Sequence, residues 1–167
     1  VAPDGRTVGE IVLRGNNVMA GYYQDEDATE QAFRGGWFHS GDLGVMHPDG
    51  YIELKDRAKD IIISGGENIS TIEVENAVVA HPAVAEAAVV GMPSAKWGER
   101  PRAFVVLRPG AEATAAHIRT HVAGLIARYK VPDEVLFVDA LPRTATGKIR
   151  KNELRAAEPA PLAAGAC

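Results

Sequence analysis

Hydrophobic and polar positions change rhythm once along the chain. Gly9-Glu10-Ile11-Val12-Leu13-Arg14-Gly15 alternates between bracketing glycines, which predicts a half-buried strand. Asp27-Ala28-Thr29-Glu30 predicts the start of a short helix, with Asp27 as its cap and an acidic residue three positions on. The runs 42–46 and 51–55 predict a hairpin across His47-Pro48-Asp49-Gly50, because proline fixes one turn torsion and Asp-Gly tolerates the others. The first third is therefore mostly β.

Past Lys59 the pattern alternates between strand and helix. Asp60-Ile61-Ile62-Ile63-Ser64 predicts a buried strand ended by Gly65-Gly66, and Ser70-Thr71-Ile72-Glu73 is a capping box that predicts a helix to about His81, closed by Pro82. Strands are expected at about 85–91, 103–107 and 135–138. Helices are expected at 114–129, where Ile118, Val122, Leu125 and Ile126 share a face, and at 151–156. The fold class expected is α+β: a mostly β segment, then a compact α+β unit, with the boundary at 57–60. The Pro- and Ala-rich stretch 158–167 has neither cap nor amphipathic face and predicts a disordered tail.

Composition narrows the class. At 167 residues and 46% hydrophobic, the chain can bury a core without disulfide or metal support. Its only cysteine, Cys167, excludes an intrachain bridge and fits a reducing, cytoplasmic setting. No apolar run approaches the roughly 20 residues of a bilayer span, and the start has no initiator Met and no signal-type core, which leads us to expect a cytoplasmic fragment. The net charge is −4, yet Arg143, Lys148, Arg150, Lys151 and Arg155 gather at one end against Glu153. Nucleic acid is not expected on so acidic a body. A small phosphorylated ligand fits the basic end, since exposed charges act over only about 8–10 Å in physiological salt.

Several segments carry possible chemistry. Pro142-Arg143-Thr144-Ala145-Thr146-Gly147-Lys148-Ile149 reads as a mobile loop with a lysine at its tip, suited to a phosphate or carboxylate, or as a plain turn before a helix. It is not a Walker A loop, because Pro142 stands where the first glycine belongs and no Ser or Thr follows Lys148. Ser64-Gly65-Gly66-Glu67-Asn68 reads as a backbone that approaches a ligand closely or as an ordinary strand-to-helix turn. Asp42, between Gly41 and Gly44, reads as a partner for a ribose diol or as an Asx turn. Trp97 reads as an adenine platform or as core cover. His117 and His121 stand four apart on a predicted helix, without the glutamate or third ligand of a metal site, so no metal is expected. Ser40 and Ser64 lack readable triad partners.

Taken in order, Gly21-Tyr22-Tyr23, Gly36-Trp37-Phe38-His39-Ser40-Gly41-Asp42-Leu43-Gly44, Asp49-Gly50-Tyr51-Ile52, the run from Asp56 to Ile69, Glu73-Val74-Glu75 and Pro142-Arg143-Thr144-Ala145-Thr146-Gly147-Lys148 resemble the adenylate-forming acyl-CoA synthetases, and among them the fatty acyl-CoA ligase type. The resemblance covers about residues 8–157. It implies that 1–58 is the truncated, β-rich end of a large N-terminal AMP-binding domain and 59–157 a small mobile C-terminal domain. It also implies an AMP-forming acid–thiol ligase of fatty acid metabolism, using Mg-bound ATP, a carboxylic acid and CoA. Carried over residue by residue, Lys148 is catalytic, Asp42 and Arg57 bind the nucleotide ribose, Lys59 is a hinge, and Ser64, Gly65, Gly66 and Trp97 line the CoA path. The phosphate loop and acyl pocket of the family have no counterpart in these residues, so the chain alone is expected to be inactive.

Two alternatives remain open at the level of sequence. One is an adenylation domain that loads a carrier protein, whose phosphopantetheine ends in the same thiol arm as CoA. The other is a non-catalytic module that binds an acyl carrier. Apolar strand faces at 9–15 and 42–55 further suggest a possible homodimer.

Overall fold

A computed structural model describes residues 1–156, so the expected tail at 158–167 lies outside the described residues. The chain divides into two compact units, Val1–Lys59 and a second from Asp60 onward. No helix among the described residues is long and apolar enough to cross a membrane.

The first unit is a three-stranded antiparallel sheet, β1 (Val8–Leu13), β2 (Phe38–Met46) and β3 (Ile52–Arg57), in that spatial order. Helix α1 (Glu26–Ala32) begins two residues earlier than expected. Its cap is Asp25, whose Oδ1 accepts from the Ala28 amide at 3.0 Å, and this leaves Asp27 inside the first turn. The β2–β3 hairpin closes as expected: the amide of His47 donates to the Tyr51 carbonyl at 2.8 Å and that of Gly50 to the His47 carbonyl at 2.9 Å. The expected half-burial of β1 is uneven. Val8 and Leu13 are about half exposed, as are Ile52 and Leu54 on β3.

The second unit is a five-stranded sheet made of β4 (Ile62–Ser64), β5 (Glu67–Ile69), β6 (Val84–Ser94), β7 (Gly98–Leu107) and β8 (Glu134–Phe137). The antiparallel order runs β5-β4-β7-β6, and β8 pairs parallel to β7 over residues 102–105. Side chains along β6 and β7 alternate between two cores. Val89, Ala103 and Val105 face α2 (Thr71–Val79) and α3 (Ala115–Ala123), packing on Val74, Val78, Ile118 and Val122. Ala88, Val90 and Phe104 face the opposite way, against Leu141 and, from α4 (Lys151–Ala156), Leu154. Each fully buried aliphatic side chain contributes roughly 1.5–3 kcal/mol, so both layers stabilise the unit.

The second unit also differs from the sequence expectation in several places. Gly65 and Gly66, at φ 60° and 86°, make a two-residue hairpin turn from β4 into β5, where a strand-to-helix turn had been one of the readings. The strands expected at 85–91 and 103–107 run on to Ser94 and back to Gly98, because Pro93 and Pro101 fall within one long hairpin and do not end it. Helix α3 stops at Ala123, with Gly124 as its C-cap. Leu125 then stays exposed and the chain passes through a 3-10 turn at Arg128–Lys130.

Candidate functional site

In the first unit, Asp42 and Arg57 are directly opposed on β2 and β3, and Arg57 Nε lies 3.1 Å from Asp42 Oδ1. The strand start is held from several sides. The Asp42 amide donates to Ser40 Oγ at 3.1 Å, Ser40 Oγ donates to the Ile11 carbonyl at 2.7 Å, and the Gly41 amide donates to Glu10 Oε1 at 3.2 Å. Glu10 also lies 2.6 Å from His39 Nδ1 and 3.1 Å from Arg34. The His39 hydrogen bond, helped by the Gly41 amide and the Arg34 guanidinium, holds the Glu10 carboxyl below its ordinary range. Asp42 thus sits on a fixed strand with its carboxylate partly in solvent. Lys59, the last residue of this unit, is exposed.

In the second unit, Ser64, Gly65, Glu67, Trp97, Arg100, Arg128 and Tyr129 line a cleft of about 750 Å³. The hairpin turn forms one wall: the Gly65 amide donates to the Trp97 carbonyl at 2.8 Å, and Ser64 pairs with Gly98 across β4 and β7. Trp97 is 46% exposed and so is not core cover; Lys96 Nζ lies 4.6 Å from its ring centroid. Gly66 takes the second turn position and is exposed. Arg100 lines one side of the cleft and donates to Ser64 Oγ at 3.2 Å, the Tyr129 carbonyl at 2.6 Å and both oxygens of Asp133 at 2.8 and 2.9 Å. That pairing is the main cause of an Asp133 carboxyl held below its usual range. Sequence reasoning missed Arg100, Arg128 and Tyr129, while Glu67 lay inside the Ser64–Asn68 segment it singled out without being given a role. Of the three missed, only Arg100, two residues past the Gly98 turn, lay near a segment singled out beforehand.

The Lys148 segment is a closed turn ahead of α4, the second of the two readings its sequence allowed. Thr144 and Lys148 pair, with the Thr144 amide donating to the Lys148 carbonyl at 2.8 Å and the Lys148 amide to Thr144 Oγ1 at 3.1 Å. Arg143 Nη1 donates to the Gly147 carbonyl at 2.8 Å and Nη2 to Glu86 at 2.7 Å, which ties the turn to β6. Gly147, at φ 85°, supplies a conformation that a β-carbon would strain. Lys148 is exposed, and its ammonium forms no ion pair among the described residues. The structure therefore brings Asp42 to Arg57 and gathers Ser64, Gly65 and Trp97 round one cleft, while Lys148 stands on a separate turn. His121 stacks edge-on against His81 at 5.1 Å, and no group of three or more His, Cys, Asp or Glu with metal-holding geometry occurs among the described residues.

Comparison with known proteins shows what the chain is similar to. Residues 73–148 match the AMP-binding enzyme C-terminal domain. A relative from Humulus lupulus named acetate–CoA ligase CCL3 is 55% identical over 161 residues, covering 93% of this chain and 28% of its own length. The peroxisomal trans-cinnamate:CoA ligase of Petunia hybrida is 52% identical over 155 residues, again 93% of this chain and 27% of its own. Among solved structures, o-succinylbenzoate CoA synthetase of Bacillus subtilis, complexed with its acyl-adenylate intermediate, superposes with a TM-score of 0.85 at 40% identity, covering 93% of this chain and 32% of the other. The chain thus spans less than a third of the length of each.

Proposed function

We propose that this chain, whose residues 73–148 belong to the AMP-binding enzyme C-terminal domain family, works as the C-terminal part of an ATP-dependent acyl-CoA synthetase acting on a fatty or other aliphatic acid. In the first step a carboxylate oxygen attacks the α-phosphorus of ATP, the bond to the bridging oxygen breaks, and acyl-adenylate and pyrophosphate form. In the second the CoA sulfur attacks the acyl carbon, AMP leaves with the bridging oxygen, and the thiol proton passes to solvent. Lys148 is assigned the developing charge at phosphorus, which a fixed ammonium stabilises without acting as a base. Asp42 and Arg57 are assigned the ribose hydroxyls. Ser64, Gly65, Gly66 and Trp97 are assigned the pantetheine arm of CoA, and Lys59 the hinge about which the small domain, 59–157, turns between steps. Residues 1–58 are assigned to the end of the large domain. Magnesium enters as the counter-ion of ATP, and none of the described residues is assigned to it.

The observation that carries this proposal is the pairing, within one small unit, of an exposed ammonium that forms no ion pair among the described residues, on a closed turn, with a glycine-walled, aromatic-edged cleft. The first suits a phosphoryl transition state, and the second suits a slender uncharged thiol arm. The relatives are named as CoA ligases, which favours free CoA over a carrier protein as acceptor. The test is ATP–pyrophosphate exchange by the full-length protein with acetate, butyrate, octanoate and cinnamate, followed by thiol consumption with CoA. Exchange and thioester formation with an aliphatic acid are expected. No exchange with any acid overturns the proposal. The cytoplasm is proposed as compartment, and imaging of the tagged full-length protein separates it from the peroxisome named for the Petunia relative.

A further inference from the structure

We infer that Arg100 is a positioning residue that sets the width of the cleft, and that it does so without touching the ligand. A guanidinium carries five N–H donors in a planar fork. All five are engaged here. Nε and one Nη2 donor take the two oxygens of Asp133 at 2.9 and 2.8 Å, and the other Nη2 donor reaches the Val131 carbonyl at 3.3 Å. Nη1 takes the Tyr129 carbonyl at 2.6 Å and Ser64 Oγ at 3.2 Å. The arginine is borne on β7, three residues past Trp97, whose carbonyl accepts from the Gly65 amide. One rigid group therefore joins three walls that come from distant parts of the chain: the β4–β5 turn, the start of β7, and the segment 129–133.

A cationic side chain lining a cleft would ordinarily be assigned to an anionic group of the ligand. Arg100 is only 16% exposed along its side chain and has no donor left to offer, so that role is closed to it. The chemistry calls for planarity and donor count, and lysine matches neither with its three tetrahedral donors. Loss of the fork frees Ser64 and Tyr129 to shift, and a displacement of about 1 Å in a positioned site costs up to about 10²-fold.

The inference rests on the proposed CoA-ligase activity and assigns Arg100 to the thioester step alone. The experiment uses full-length protein with Arg100→Lys, Arg100→Gln and Asp133→Asn, measuring acyl-adenylate formation, KM for CoA and kcat at saturating CoA. Both arginine variants are expected to raise KM for CoA about tenfold, and Asp133→Asn less, with adenylate formation within about twofold of wild type. Restoration of the wild-type KM by lysine would mean a simple charge contact and overturns the inference. So does an unmoved KM, or a parallel fall in adenylation and transfer. If the arginine variants do not fold, the KM of Asp133→Asn decides alone, since that side chain is half exposed. A wild-type enzyme that forms no adenylate overturns the parent proposal and this inference together, whereas an active enzyme with unmoved KM overturns this inference only.

Discussion

The backbone of Gly65 is hydrogen-bonded to the carbonyl of Trp97 at 2.8 Å, and a β-carbon on Gly65 would stand 3.0 Å from the indole Cε3. The two residues are thus fitted to each other through the absence of a side chain. Gly65→Ala adds a methyl group at φ +60° and must displace the indole. The expected result is a loss of about 1–2 kcal/mol in urea unfolding from the left-handed backbone alone. In full-length protein a raised KM for CoA accompanies it, and a variant of unchanged stability and KM would show that the turn tolerates a side chain.

Lys148→Ala removes one ammonium from the surface of a turn whose backbone bonds do not involve it. Folding should be unaffected. The adenylation half-reaction should fall about 10²–10³-fold, the usual scale for one electrostatic donor, while transfer from supplied acyl-adenylate to CoA is retained. Stopped-flow assay of the two half-reactions separates these outcomes, and equal loss in both would remove the assigned role.

Lys59→Pro fixes one backbone torsion at the last residue of the first unit. Under the hinge assignment it impairs thioester formation and spares acyl-adenylate formation. Unaltered transfer would show that no rotation about this residue is required.

Acid sensitivity of the second unit is expected to involve His81. Its Nδ1 accepts from the Ala83 amide at 3.2 Å, which fixes a neutral tautomer, and its ring meets that of His121. Burial, then the nearby His121 and His117, push its pKa below the ordinary 6.5. A depressed folded-state pKa makes the unfolded chain the better proton acceptor. The contribution is therefore present above pH 6.5 and is lost as pH falls through the depressed folded value. Urea midpoints measured from pH 7.5 to 5 should decline, and His81→Gln should flatten that decline.

Local signals made much of the fold legible. Ser70 caps α2 by accepting from the Glu73 amide at 3.3 Å, the His47–Gly50 turn closes its hairpin, and α4 spans 151–156 as the sequence suggested. Strand β5 was missed because Glu67-Asn68-Ile69 is too short for alternation to show, although the Gly-Gly pair before it is a hairpin signal. The β6–β7 hairpin was read short: strands were expected over about 85–91 and 103–107, and pairing carries them through Pro93 and Pro101 to Ser94 and Gly98. Asp42, Gly65 and Lys148 were visible as motif residues. The fork of Arg100 was not, since its partners lie 29 to 36 positions away and no local pattern joins them.

The closed turn beneath Lys148 has an entropic consequence. Were residues 143–149 loose, bringing the ammonium to a reacting phosphate would require freezing several backbone segments, at roughly 1–2 kcal/mol apiece. With Thr144, Gly147 and Arg143 already bonded to one another, only the four side-chain torsions of the lysine remain to be ordered, a cost of roughly 2 kcal/mol. Under the role assigned to Lys148, the ammonium would be offered on a stiff mount with a short flexible tip, its reach set by the turn before any substrate is bound.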